Sequence, residues 1–94
     1  MPRIALRVKW VGDVQGVGFR AFVQHVADEH GVTGWVANAP DGSVTAEMEG
    51  ERDAVRAAVA EALFGPRAAE VTRVEIELGE PEGMTDFEIR RGRD

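Results

Sequence analysis

Gly12-Asp13-Val14-Gln15-Gly16-Val17-Gly18-Phe19-Arg20 is the stretch whose reading decides the fold of this chain. Ahead of it, Ile4, Leu6, Val8 and Trp10 alternate with Arg7 and Lys9, the pattern of a half-buried strand ending at Gly12. Behind it, Phe19, Phe22, Val23, Val26 and Ala27 recur at helical spacing as far as His30, and Gly31 is a natural C-terminal stop. The stretch therefore joins a strand to a helix through a glycine-rich turn. Such a turn leaves several backbone N–H groups free and pointing one way, and the helix dipole adds partial positive charge to them. It suits an anion, phosphate above all, and Arg20 brings a planar fork of donors to the same group.

Working outward, Thr33 to Asn38 reads as a second strand around Trp35 and Val36. Ala39-Pro40-Asp41-Gly42 is a turn, and Ser43 to Glu49 returns as a third strand with Val44, Ala46 and Met48 on one face. Gly50 ends this hairpin, and Glu51 and Asp53 favour a helix start beyond it. Val55, Ala58, Val59, Ala62 and Leu63 mark the face of that second helix, which Gly65-Pro66 ends. Val74, Ile76 and Leu78 alternate with Arg73, Glu75 and Glu77 as a fourth strand. Gly79 to Asp86 is a loop, and Phe87 and Ile89 suggest a short last strand before the polar tail Arg90 to Asp94. The expected fold is α+β: a ferredoxin-like split βαβ sandwich, βαββαβ plus a short fifth strand, with two helices on one face of an antiparallel sheet. Residues 1–94 are expected to form one domain.

Composition narrows the partners. Seventeen acidic residues against eleven basic ones give a net charge of −6. That balance argues against nucleic acid or an anionic membrane as partner, and any anion site must win by local geometry. The absence of cysteine excludes disulfides and thiol chemistry and fits a cytoplasmic protein. No apolar run reaches membrane length, and the first residues do not form a signal peptide. His25 and His30 stand five apart and point to different helix faces, so they make no metal pair. Glu47 and Glu49 share a strand face and, with Thr45 and Glu51 nearby, read as solvent-facing charge. No Gly-Lys-Ser/Thr triplet follows the glycine turn, so it is not a Walker A loop. Gly16, Gly18 and Ala21 meet the loose dinucleotide pattern, but the next strand enters a hairpin and the chain is too short for a doubly wound sheet.

The hairpin adds a second motif. Gly34-Trp35-Val36-Ala37-Asn38 is followed by Gly42, Val44 and Gly50. Together with Gly12, Val14, Gln15, Gly16, Val17, Phe19 and Arg20, in this order and spacing, it resembles the acylphosphatase family across nearly the whole chain. The resemblance implies the ferredoxin-like fold and hydrolysis of acyl phosphates to carboxylate and inorganic phosphate. It implies that Arg20 binds the phosphate, that Asn38 positions the attacking water, and that the amides from Asp13 through Val14, Gln15, Gly16, Val17 and Gly18 to Phe19 form the phosphate cradle. It calls for no metal and no other cofactor. Inorganic phosphate is then both product and inhibitor, and a small soluble monomer is expected.

Two positions depart from the family. The residue after the first glycine and the one before the asparagine are often basic, whereas here they are Asp13 and Ala37. Both departures remove positive charge near the expected phosphate. The alternative reading is a non-catalytic module that binds phosphate or carbamoyl phosphate; acylphosphatase-like domains also occur inside larger hydrogenase-maturation proteins that handle carbamoyl phosphate. An RNA-binding sheet of the same fold would need a basic surface and exposed aromatics, and this chain is acidic and has no tyrosine.

Overall fold

The computed structural model describes residues 2–91, and the end of the polar tail, 92–94, lies outside them. Strand β1 (Arg3–Asp13) leads through the glycine turn into α1 (Phe19–Glu29). β2 (Thr33–Asn38) and β3 (Val44–Glu51) form the hairpin, followed by α2 (Arg52–Ala62), β4 (Glu70–Gly79) and β5 (Phe87–Arg90). The sheet order is β4-β1-β3-β2-β5.

Register follows from the apolar alternation, because a slip of one residue would turn every side chain to the wrong face. Val8 stands opposite Ala46 on β3, and Ala46 stands opposite Val36 on β2. These residues, with Trp10, Val44 and Met48, face the helices and are fully buried. Val23, Val26 and Ala27 of α1 and Val55, Ala58, Val59 and Ala62 of α2 close the core over them. Gly34 lies where β2 crosses β3 most tightly: a Cβ there would overlap the Glu47 carbonyl oxygen. Both helices thus cover one face of one sheet, as the periodicity requires. They stop short of the β4 edge, where Leu78 remains 77% exposed.

Two expectations need correction. The sheet is antiparallel across β4, β1, β3 and β2, but β5 pairs parallel with β2. The cause is the chain's route. β4 ends where Gly79 meets Ala5 near the start of β1, the same end of the sheet at which β2 begins. A strand that turns back from there beside β2 must run in the direction of β2.

The second correction concerns Glu47 and Glu49, which are not solvated but 3% and 1% exposed. Glu49 accepts the N–H groups of Glu82, Gly83 and Met84 at 2.8, 2.8 and 3.0 Å, with the Arg3 guanidinium 3.5 Å away. Glu47 pairs with Arg7 at 3.2 Å. A buried carboxylate is tolerated only when so paired. The loop crossing the end of the sheet covers this face, and a strand's own sequence does not reveal that cover.

Candidate active site

The end of α1 is built differently from that of α2. Glu51 caps α2 by accepting the Ala54 N–H, and Asp53 stands in its first turn. α1 starts from Gly18 in the left-handed region, without a side-chain cap and without an acidic residue in its first turn. Its first amides therefore keep their donors and their partial positive charge.

The turn before α1 reinforces this. Gly16 and Gly18 have φ of 76° and 77°, and among the described residues no non-glycine has positive φ. The sign of φ thus alternates from Gln15 to Gly18, a pattern that draws successive N–H groups into one concavity, a nest for an anion. A Cβ at either glycine would meet nothing within 4 Å, so the dihedral angle, not crowding, demands glycine. Among the described residues, no acceptor in the protein takes the N–H groups from Val14 to Ala21; the first amide bonded is that of Phe22, to the Gly18 carbonyl.

A cavity of about 200 Å³ opens over these amides. Val14, Gly16, Gly18, Phe19, Arg20 and Asn38 line it, brought together from the turn, the start of α1 and the last residue of β2. Arg20 donates from Nη1 to the Arg90 carbonyl of β5 at 3.3 Å, which fixes one arm of the guanidinium; among the described residues its other donors meet no partner. Phe19 is buried against Trp10 with ring centroids 5.1 Å apart, so it anchors the turn to the core.

Three expected residues stand outside the wall. Asp13 is the last residue of β1, paired with Glu70 across a bulge, and is exposed. Val17 lies half-buried on the turn. The Gln15 side chain reaches away from the cavity and donates from Nε2 to the carbonyls of Ala39 and Ser43 at 2.8 and 2.9 Å. It ties the turn to the hairpin that carries Asn38. That hairpin turn is itself braced: Asp41 accepts the Ser43 N–H at 3.0 Å and its hydroxyl at 2.6 Å, and pairs with Lys9 at 3.1 Å. Ser43 and Lys9 hold the Asp41 carboxyl well below the usual carboxylate range.

The sequence did not reveal the Ile89 wall or the Arg90 carbonyl. Both depend on β5 crossing the sheet, and nothing local marks that path.

The acylphosphatase family model matches residues 6–89. The chain belongs to the acylphosphatase family. It is similar to the acylphosphatase of Thermococcus kodakarensis, with 45% identity over 95% of this chain and 98% of the relative. The crystal structure of the acylphosphatase from Bacillus subtilis superposes with a TM-score of 0.88 at 36% identity, covering 93% of this chain and 98% of that one. Full-length HypF in its phosphate- and nucleotide-bound form gives a TM-score of 0.89 at 28% identity, but there this chain covers 97% of itself and only 12% of the larger protein. The acylphosphatase fold therefore occurs both alone and as a module, and the Thermococcus kodakarensis and Bacillus subtilis acylphosphatases match this chain over nearly their full length.

Proposed function

We propose that the cavity at the start of α1 is where this acylphosphatase hydrolyses the carboxyl–phosphate bond of its substrates. The free amides of the glycine turn and the Arg20 guanidinium hold the phosphate dianion. Asn38 aims a water at phosphorus, opposite the acyl oxygen. The water oxygen bonds to phosphorus as the bond to the acyl oxygen breaks. The carboxylate leaves with the electron pair, and a phosphate oxygen takes the water's proton.

So spare a site suffices because the leaving carboxylic acid has a pKa of roughly 4–5 and needs no protonation. In such a transfer the protein mainly positions groups and stabilises charge on the equatorial oxygens. The Asn38 amide does not titrate near neutrality, so it orients the water without acting as a base. Metal independence is part of this reading. It is supported by the donor set: among the described residues no three His, Asp or Glu side chains gather to hold a metal. A cytoplasmic location belongs to the proposal too, supported by the cysteine-free sequence.

The observation that carries the reading is the unpartnered run of amides from Val14 to Ala21 beside Arg20. The test is hydrolysis of benzoyl phosphate with and without a chelator, with inorganic phosphate as competitor. The expected result is chelator-insensitive turnover, competitive inhibition by phosphate, and a loss of about 10³-fold or more in Arg20→Ala. Asn38→Ala is expected to lower kcat by about 10²-fold while phosphate still binds. Activity retained within tenfold in Arg20→Ala overturns the assignment. Phosphate binding without turnover in the wild type gives the binding-module reading instead.

A further inference from the structure

β5 is an outer strand of the sheet, and its ladder bonds go to β2 alone. Two side chains of α1 reach its backbone. Gln24 donates from Nε2 to the Phe87 carbonyl at 3.1 Å, and Arg20 donates from Nη1 to the Arg90 carbonyl at 3.3 Å. The two donors stand four apart in the helix, one above the other on the same face. They grip the first and the last residue of the strand. Between those two points Ile89 lines the phosphate cavity together with Arg20.

We infer that Gln24 is a positioning residue for Arg20, a role that rests on the phosphate site proposed above. The Arg90 carbonyl orients the guanidinium only while β5 keeps its place against α1. The ladder to β2 fixes the strand within the sheet, but it does not fix the distance to the helix. Two contacts at Phe87 do that. Its buried side chain anchors the strand by packing, which has no direction, and the Gln24 amide holds its carbonyl at a defined distance and angle. The kind of anchor matters as well. Glu88, the one acid of β5, accepts from Arg90 Nε and Nη2 at 3.2 and 3.0 Å. What holds Arg20 is therefore a neutral carbonyl. A carboxylate in its place would offset the guanidinium charge and compete with the phosphate dianion. A carbonyl orients the fork and leaves its charge for the substrate, and Gln24, itself neutral, braces that carbonyl without adding charge to the site.

The experiment is a double-mutant cycle between positions 20 and 24, with benzoyl phosphate as substrate and inorganic phosphate as competitor. Gln24→Ala is expected to lower kcat/KM about tenfold and to raise the inhibition constant of phosphate about fivefold. Gln24→Met keeps the length of the side chain and loses the donor, and is expected to show the same losses. In Arg20→Ala no guanidinium is left to orient, so adding either substitution is expected to change kcat/KM by less than about twofold. A residue that only supports the fold lowers the rate by the same factor in both backgrounds. Gln24 is half-buried on a helix, where alanine and methionine both favour the helical state; if one variant does not fold, the other completes the cycle. Wild-type kinetics in Gln24→Met, or an equal loss with and without Arg20, overturn the positioning role and leave the phosphate site standing. Activity retained within about tenfold in Arg20→Ala alone overturns the phosphate site itself.

Discussion

Gln15 is the residue whose type matters most for its bonds and least for its chemistry. Its amide holds the glycine turn against the Ala39 and Ser43 carbonyls, and so fixes the spacing between the cradle and Asn38. Gln15→Ala leaves two half-buried carbonyls without this donor, a loss of about 1–2 kcal/mol of stability. Because a displacement of about 1 Å lowers rate steeply, kcat is expected to fall more than tenfold. Steady-state kinetics beside a urea titration separates the two effects, and rescue by Gln15→Asn is not expected, since the shorter side chain cannot reach. Asp13 is expected to act differently, through charge alone. It is exposed beside the turn and outside the cavity wall, so Asp13→Arg is expected to lower KM severalfold at low salt and to lose that advantage near 1 M salt. An unchanged KM would show that this carboxylate does not act on the substrate. Arg20, Asn38 and the glycines could be singled out in the sequence, because their type and spacing are local. The partners of Gln15 could not, since they lie 24 and 28 residues away.

Among the elements, β3 carries the burden. Its alternation reads correctly on the core face, but its other face bears the buried Glu49, which receives three consecutive amides from the crossing loop. Burial is the largest single influence on this carboxyl and raises its pKa; the three amides and Arg3 together outweigh it, so the net shift is downward. A carboxyl with a lowered folded pKa adds stability above its unfolded value, about 4.3 for glutamate, and loses it as pH falls through the folded value. Glu49→Gln replaces an acceptor with a side chain that also donates into the same three amides, and is expected to destabilise by about 3 kcal/mol at neutral pH. Urea titrations of both proteins from pH 7 to pH 3 check this, because the gap is expected to narrow only below the ordinary glutamate range. A gap independent of pH would assign the loss to packing. The hairpin offers a sharper steric case. Gly34→Ala places a methyl on the Glu47 carbonyl, and is expected to part β2 from β3 at a loss of more than about 3 kcal/mol.

At the scale of the molecule, the cavity exists only because the sheet order brings distant segments to one end. The turn after β1, the last residue of β2 and the end of β5 meet there, though Arg20 and Arg90 stand 70 residues apart. A ligand that binds this assembled state stabilises all of it. Phosphate at a hundred times its dissociation constant adds about 2.7 kcal/mol, a rise on the order of 10 °C in Tm for a chain of this size. Calorimetry is expected to show that rise in the wild type and to lose it in Arg20→Ala; an equal rise in both would place phosphate elsewhere. The sequence by itself determined the order of strands and helices, the faces they bury and the glycine turn, because these depend on periodicity and backbone angles confined to a few neighbouring residues, and it marked Arg20 and Asn38 through the motifs by which it resembles the acylphosphatase family. Only the tertiary structure decided the parallel pairing of β5, the burial of Glu47 and Glu49 and the bracing by Gln15. Each of those arises where segments far apart in the chain exclude water from one another, and no local pattern encodes which segments those will be.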